Sequence, residues 1–239
     1  MVRVAAEVPI VDDPLTYLPR RGVQEFGKGR VIYCPQQPSD RMYVLVLGRV
    51  KVTSTSNDGY ETIGRIVCTD GLFGEGALVG GRASESAMAL DTASVMSWTR
   101  KEIEQQVERE PRLGIALAQY IVRQCLALQD RIESMAVQKT PERVMVALAQ
   151  LAGMLGAPLP DGATRIASLT HQTIAEYVGT SREIVTFQMN RLRRLGMIRY
   201  TRRYIDVYTG AVEEALRQQG ITLPHSAGAA TLQAAPSLY

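Results

Sequence analysis

A chain of 239 residues, 46% hydrophobic and 21% charged, has the size and composition of a soluble globular protein with two domains. The net charge of +3 is unevenly spread, because residues 141–205 hold nine arginines against four acidic residues. This distribution indicates a phosphate-binding module joined to a near-neutral one. Three scattered cysteines exclude a disulfide scaffold, the early acids exclude a signal peptide, and no apolar run is long enough to span a membrane. We therefore expect a cytoplasmic protein.

Residues 1–20 show no clear period and are interpreted as an N-terminal arm. Residues 21–110 instead show short alternating strands punctuated by glycines and turn residues, which is typical of a small barrel or roll. Asn57-Asp58-Gly59 predicts a hairpin in which Asp-Gly supplies the positive backbone angles. The strand candidates are Val31–Tyr33, Met42–Leu47, Arg49–Ser54 and Thr62–Val67.

A glycine-rich turn with one carboxylate, Glu75, occupies residues 70–78. The backbone N–H groups of such a turn can cradle an anion, and a glutamate can hold a hydroxyl group. The alternative is a corner of the roll in which glycines allow tight packing. The turn alone does not decide between the two.

A short helix is predicted at residues 99–108, and a long helix follows at 111–137. About 25 residues at 1.5 Å each give a helix near 40 Å, more than a small roll can cover. An apolar stripe at coiled-coil spacing therefore predicts a two-fold homodimer, although the stripe could instead pack on its own roll. The stripe consists of Leu117, Ile121, Gln124, Leu128 and Met135.

A hinge at residues 138–140 separates the long helix from the next domain, at 141–223. Thr140 is the expected N-cap there, and Pro141 the first residue of a helix that continues through 143–155. A loop and a short strand at 164–166 follow. The small, polar and aperiodic tail at 224–239 predicts disorder.

Two short helices joined by a glycine turn are predicted between residues 168 and 198. Thr170 caps the first, Gly179 ends it, and Ser181 caps a second helix that runs from Arg182 to Leu195. This spacing is the helix-turn-helix signature. Two strands around the basic turn at 201–203 predict a wing. The alternative is a helical hairpin with a solvated basic face.

The second helix has an apolar inward face at Val185, Met189 and Leu192, and a polar outward face suited to a DNA major groove. The candidate base-reading residues are Arg182, Glu183, Thr186, Phe187 and Asn190. The candidate phosphate contacts are Thr170, His171, Gln172, Ser181, Arg191, Arg202 and Arg203.

Residues 20 to 220 resemble the CRP/FNR family of bacterial transcription regulators. The resemblance is carried by LGRVKV with its hairpin, DGLFGEGAL, and LTHQTIAEYVGTSREIVTFQMNRLRRLGMI with its wing. It implies an α+β chain with an N-terminal double-stranded β-helix (a cyclic-nucleotide-binding-like β-roll), a long dimerisation helix and a C-terminal winged helix-turn-helix. It further implies a homodimer that binds double-stranded DNA, with RNA polymerase as a candidate partner. We expect no enzymatic activity, because the sequence shows no paired acid and base, no nucleophile with a base and no metal cluster.

The family resemblance also assigns roles within the second helix. Glu183 matches a glutamate that accepts from cytosine, and Arg182 matches a residue that reaches guanine or phosphate. Phe187 stands where well-known members have a guanine-reading arginine. A phenylalanine can cover a thymine methyl but cannot make that bidentate bond, so we expect a different half-site.

The sensor side departs further from the cyclic-AMP-binding pattern. Glu85 stands where those members have the arginine that neutralises the cyclic phosphate, and Arg82 lies three residues earlier. The adenine-contacting pair falls on Leu128 and Gln129. We therefore expect no cofactor and no control by cyclic AMP. If an effector pocket exists, its candidate residues are Gly74, Glu75, Arg82, Glu85, Ser86, Gln124, Leu128 and Gln129.

The cysteine and histidine positions fit neither an iron–sulfur nor a haem sensor, so we also expect no metal. The main hypothesis is a regulator that binds a near-palindromic DNA site without an effector. The alternative is a module of the same fold that senses another nucleotide or small molecule, with DNA binding conditional on that ligand.

Overall fold

The computed structural model describes residues 12–223. The tail predicted at 224–239, and the first part of the predicted arm, lie outside the described residues. Two short 3-10 helices (Pro14–Thr16 and Glu75–Leu78) and eight strands precede the first α-helix, and the strands are β1 (Gln24–Phe26), β2 (Val31–Tyr33), β3 (Arg41–Leu47), β4 (Val50–Thr55), β5 (Glu61–Val67), β6 (Leu72–Phe73), β7 (Ser86–Ala89) and β8 (Ala93–Thr99). The elements that follow are α1 (Arg100–Arg109), α2 (Arg112–Val137), α3 (Thr140–Leu155), β9 (Ala157–Pro158), β10 (Thr164–Ala167), α4 (His171–Val178), α5 (Arg182–Arg194), β11 (Ile198–Tyr200), β12 (Tyr204–Val207) and α6 (Thr209–Gln218).

The eight N-terminal strands form the predicted roll from two four-stranded antiparallel sheets. One sheet has the order β1-β8-β3-β6 and the other β2-β7-β4-β5. Alternating apolar residues of both sheets meet in a common core that includes Leu45, Val52, Phe73 and Val95. The four strands proposed from the sequence are therefore present, within a residue or two of their predicted ends.

The β4–β5 hairpin is present, but its turn differs from the prediction. Gly59 has a φ of +81°, whereas Asp58 is not among the residues with positive φ. The Gly59 amide donates to the Ser56 carbonyl at 2.9 Å, and the Ser56 amide donates to the Tyr60 carbonyl at 3.0 Å. The loop is thus longer than a two-residue Asp-Gly turn, and only its glycine needs the left-handed conformation.

The described part of the arm is ordered against the roll and the helices. Leu18 is buried, and the indole N–H of Trp98 donates to the Pro19 carbonyl at 3.2 Å. The side chain of Gln106 donates to the Tyr17 carbonyl at 2.8 Å. Residues 12–20 therefore pack in the core that joins the roll to α1 and α2, a role that their aperiodic sequence did not indicate.

The hinge separates α2 from α3 by two extended residues, Gln138 and Lys139. The expected N-cap at Thr140 is wrong, because Thr140 is already helical and Lys139 holds the cap position. The Glu142 carboxylate accepts from the Lys139 amide at 2.7 Å, as the acid of a capping box does. The two helices are therefore interrupted within the predicted segment 138–140, but the N-cap is Lys139, one residue before the predicted Thr140.

The long helix α2 exposes a different stripe from the predicted one. Leu117 is only 5% exposed and packs in the core that joins the roll to α1 and α2, so it does not belong to a free surface. Leu128 and Met135 of the predicted stripe are exposed. The exposed large apolar residues of α2 are Ile115, Val122, Leu126, Leu128, Ile132, Met135 and Val137.

The C-terminal domain packs its helices on a sheet with the order β11-β12-β10-β9. Its core extends into the N-terminal domain, because Ile63 and Ile66 of β5 belong to the same buried cluster as Ile174 and Val178 of α4. Within residues 12–223, no helix is both long and apolar enough to cross a membrane.

Polar contacts reinforce this docking of α4 on the roll. The Lys51 ammonium of β4 lies 2.8 Å from the Glu176 carboxylate of α4. Arg131 of α2 donates to the Gly64 carbonyl at 2.6 Å and to the Tyr177 carbonyl at 2.5 Å. One guanidinium therefore joins the long helix, the roll and the first helix of the helix-turn-helix.

Candidate DNA interface and roll interior

The helix-turn-helix has the geometry that its caps predict. The Thr170 hydroxyl accepts from the Thr173 amide at 3.0 Å, and Ser181 accepts from the Ile184 amide at 3.4 Å. Gly179 takes a φ of +74° at the end of α4, where its amide donates to the Ala175 carbonyl. A glycine adopts this left-handed conformation at little cost, and α5 can begin only three residues later.

Helix α5 buries the expected face and presents the other to solvent. Val185, Met189 and Leu192 are buried in the domain core. Phe187 is 61% exposed and Ile184 is 42% exposed, so two large apolar side chains stand on the outward surface. The sequence pattern identified Phe187, but it did not single out Ile184 as a second apolar group on that surface.

Thr186 and Asn190 are held by other side chains of the domain. The Thr186 hydroxyl donates to the Arg182 carbonyl at 2.8 Å, so the bond between its oxygen and Nδ1 of His171, 2.9 Å long, requires the histidine to donate. The hydroxyl of Tyr200 donates to Oδ1 of Asn190 at 3.0 Å. Burial and the Arg182 charge lower the pKa of His171, which favours its neutral form.

The arginines of α5 and the wing turn differ in their ion pairing from those of the wing strands. The arginines of α5 and the wing turn are exposed, and within the described chain none of them pairs with a carboxylate. Their unpaired charge lies around the outward face of α5 and at the tip of the wing. This group consists of Arg182, Arg191, Arg193, Arg194, Arg202 and Arg203.

Arg165 and Arg199 stabilise the sheet of the wing. Asp206 is buried between the neighbouring strands, where Arg165 donates to its two oxygens at 2.6 and 2.9 Å and Arg199 approaches to 3.3 Å. The hydrogen bonds and charge of Arg165 lower the pKa of Asp206, with a further contribution from Arg199. This cluster is a structural ion network, and it leaves the unpaired arginines as the candidates for phosphate contact.

The predicted phosphate contacts at the start of α4 are only partly free. Thr170 uses its hydroxyl as the helix cap, and the Gln172 amide donates to Glu176 at 3.1 Å. Residues 168–171 and the wing strands line a shallow depression that ends at Arg202. The backbone at the start of α4 and the wing therefore form one continuous surface beside α5.

An ion pair that the sequence did not indicate lies inside the roll. Arg65 of β5 pairs with Glu75, and the Tyr33 hydroxyl donates to Glu85 at 2.7 Å. Burial alone lowers the pKa of Arg65, but the hydrogen bond and charge of Glu75 raise it on balance. Burial, followed by the charge of Glu85, raises the pKa of Tyr33. The cation near the two carboxylates thus comes from a strand and not from Arg82, which is exposed.

The glycine-rich turn has the features of a packed corner. Gly74 has a φ of +79°, and a Cβ there would lie 2.9 Å from the Arg41 carbonyl oxygen and from the Tyr43 ring. Ser86 and Gln124 are half-buried, while Leu128 and Gln129 are exposed on α2. Between residues 12 and 223 there is also no cluster of three or more potential metal ligands.

Comparison with known proteins identifies the family. Residues 23–110 match the model of the cyclic nucleotide-binding domain, and residues 142–209 match that of the Crp-like helix-turn-helix domain. A global nitrogen regulator of Synechocystis sp. is 30% identical over 200 residues, which cover 82% of this chain and 88% of that protein. The chain belongs to the CRP/FNR family.

Other members support the same assignment. A CRP-like cAMP-activated global transcriptional regulator of Mycobacterium tuberculosis is 27% identical over 177 residues, covering 73% of this chain and 79% of its own. A solved CRP/FNR transcriptional regulator from Thermus thermophilus is 27% identical, with a TM-score of 0.67 and coverage of 82% and 98%. The predicted fold class is confirmed, and this CRP/FNR protein is a DNA-binding transcription regulator. Membership of a family of regulators also argues against an enzyme.

Proposed function

We propose that the regulator acts as a homodimer on a near-palindromic DNA site and inserts α5 of each subunit into successive major grooves. The unpaired arginines around the outward face of α5 are the observation that carries this proposal. An exposed cation gains more from a phosphate than one already neutralised by a carboxylate. The wing-tip arginines extend the same surface along the DNA backbone.

Base reading is assigned to the outward residues of α5. The Glu183 carboxylate is available to accept from a cytosine amino group, and Phe187 can cover a thymine methyl. The Thr186 hydroxyl is already bonded to Arg182 and His171, which supports a role for its methyl group instead. Arg182 and Asn190 complete the proposed base-reading set.

Phosphate contacts are assigned to the surface around that helix. The start of α4, from Thr170 to Gln172, can offer backbone N–H groups to a phosphate, as helix N-termini do. Ser181, Arg191, Arg202 and Arg203 are the further proposed contacts, and Arg193 and Arg194 add unpaired charge at the end of α5.

The dimer is proposed to form along α2, through a seam shifted from the predicted one. Ile115, Val122 and Gln129 recur every seven residues, and Cys125 and Ile132 fall between them at the complementary heptad spacing. All five side chains are exposed in the single chain. An exposed apolar seam of this length is better stabilised by a second copy than by water.

Oxidative cross-linking tests the seam through Cys125. In a Cys34→Ser, Cys68→Ser background, mild oxidation is expected to give a covalent dimer. The matched control moves the thiol to the opposite face, as Ala127→Cys with Cys125→Ala, and should remain monomeric on a denaturing gel. Equal cross-linking of both variants would contradict a seam at Cys125.

We further propose that DNA binding does not require cyclic AMP. The Arg65–Glu75 pair and the Tyr33–Glu85 bond support this, because Arg65 and Glu75 are engaged with each other and Glu85 places a carboxylate where the family resemblance expects a cation. One observation favours the alternative of another small molecule: Oε1 of Glu75 is buried without a hydrogen-bond partner in the described part of the chain. A ligand hydroxyl would satisfy that oxygen.

Selection from randomised DNA, with and without cyclic nucleotides, tests these proposals together. We expect enrichment of a near-palindrome without any nucleotide and no change when one is added. Glu183→Ala should relax the base preference, whereas Arg202→Ala should weaken binding to all sequences and reduce its salt dependence. Failure to enrich any sequence would overturn the DNA-reading proposal, and enrichment only with a nucleotide would favour the alternative. RNA polymerase is the further partner that such a regulator would meet at a promoter.

A further inference from the structure

Tyr200, at the end of β11, contacts three residues of the helix-turn-helix. Its hydroxyl donates to Oδ1 of Asn190 on α5, its ring meets the His171 ring edge-on at 5.6 Å, and the Arg193 guanidinium lies 5.4 Å from its centroid. The Tyr200 side chain therefore joins the wing to the recognition helix, through a hydrogen bond to Asn190 and ring contacts with His171 and Arg193.

The hydrogen bond has a consequence for what Asn190 can offer to DNA. An asparagine amide carries one acceptor oxygen and one donor nitrogen, and a free amide can rotate to present either. The Tyr200 hydroxyl occupies the oxygen, which leaves the Nδ2 hydrogens as the groups that Asn190 can offer to a further partner. Asn190 is half-buried and lies one turn beyond Phe187 on α5.

We propose that Tyr200 is a positioning residue that fixes Asn190 as a hydrogen-bond donor to the major groove, so that the half-site prefers guanine or thymine at the contacted position. Guanine presents only acceptors in that groove, N7 and O6, and thymine presents O4, whereas cytosine presents an amino donor and adenine has an amino donor beside its N7 acceptor. This inference rests on the proposed insertion of α5 into the groove, and it assigns a specificity role to a wing residue.

Tyr200→Phe tests the role with little change in shape, since it keeps the ring that contacts His171 and Arg193 and removes only the hydroxyl. Binding is measured against a panel of duplexes carrying each base pair at each half-site position. We expect a preference for guanine or thymine of about 5- to 10-fold at one position, the lower end for a directed base contact. Tyr200→Phe should remove most of that preference and leave the other positions unchanged.

Two companion variants locate the effect. Asn190→Ala should abolish preference at the same position, and adding Tyr200→Phe to it should cause no further change there. Tyr208→Phe is the matched control, because it removes a hydroxyl that bonds Asp161 at 3.3 Å within the wing-sheet ion network. Its base profile should equal that of the unaltered protein.

Other outcomes separate the two levels of inference. An unchanged profile in Tyr200→Phe, an equal loss on every duplex, or a wild-type preference for cytosine at the Asn190 position would each overturn the positioning role. If Glu183→Ala also left every position unchanged, the proposed insertion of α5 would itself fail.

Discussion

The Lys51–Glu176 pair offers a direct test of how the helix-turn-helix is held on the roll. The Nζ–Oε2 distance is 2.8 Å, and both side chains are 10% exposed. Burial alone lowers the pKa of Lys51, but the hydrogen bonds and charges of Glu176 and Glu61 raise it on balance. The ammonium is therefore charged at neutral pH, and the stabilisation is lost only as pH rises through that raised value.

Glu176→Gln removes the nearer of the two partners of Lys51. Breaking a buried pair by removing one partner costs about 3–5 kcal/mol when the remaining charge has no other partner. Here Glu61 remains at 3.3 Å and is 45% exposed, so part of the charge stays compensated. We therefore expect a loss of about 2 kcal/mol in the free energy of unfolding.

A double-mutant cycle separates the pair from other effects. Lys51→Met with Glu176→Gln removes both charges and should recover about 1 kcal/mol or more of the loss, because no buried charge is then left without its partner. The exposed pair Arg100–Glu104 is the control, with side chains 48% and 54% exposed. Glu104→Gln should cost no more than about 0.5 kcal/mol.

Urea unfolding followed by two probes is the assay. Trp98 is the one tryptophan and lies buried in the roll, whereas circular dichroism follows the helices of both domains. Because the two domains share a core, we expect the transitions to coincide in the unaltered protein and to separate in Glu176→Gln. If Glu176→Gln cost no more than Glu104→Gln and the transitions stayed together, the pair would have no part in docking α4.

Three further results are expected. Asp206→Asn should lower the melting temperature at pH 7 but much less at pH 3. The pKa of Asp206 is lowered in the folded protein, so the carboxylate stabilises the fold above its unfolded pKa of about 4, and this stabilisation is lost as pH falls through the folded pKa. An equal loss at both pH values would contradict the ion network. Phe187→Arg should shift one half-site position from thymine to guanine in a DNA selection, and an unchanged consensus would count against its place in the groove. Gly179→Ala should lower the free energy of unfolding by about 1 kcal/mol, because the residue has a φ of +74° and a Cβ would lie 3.1 Å from the Met135 side chain. An unchanged free energy in urea unfolding would be evidence against that turn.

Local signals predicted the helix-turn-helix well. The caps at Thr170 and Ser181 and the glycine at 179 act on their own neighbours, so their effect can be read from adjacent residues. The same holds for the strands of the roll, in which apolar and polar residues alternate because successive side chains point to opposite faces of the sheet. Errors at this level were small, and they concern Thr140 and Asp58, where a neighbouring residue takes the expected role.

Contacts between distant segments could not be predicted in this way. The periodicity of α2 shows that it has apolar faces, but not which face meets its own roll. Leu117 is apolar and correctly spaced for a dimer stripe, yet it packs inside the chain, and the seam that we propose lies about one residue further round the helix. A hydrophobic pattern indicates that a residue is buried, but it does not indicate which segment or subunit covers it.

The strand β5 shows why the roll and the DNA-binding domain cannot be interpreted separately. Arg65 pairs with Glu75 in the roll interior, and the adjacent Gly64 carbonyl accepts from Arg131, which also holds Tyr177 of α4. Ile63 and Ile66 of the same strand lie in the core of the C-terminal domain. In sequence, Arg65 is one charge in a short strand, and no local pattern relates it to Glu75 or α4. Its importance follows from the fold, because residues 63–66 connect the Arg65–Glu75 ion pair of the roll to α4, the helix that supports the recognition helix.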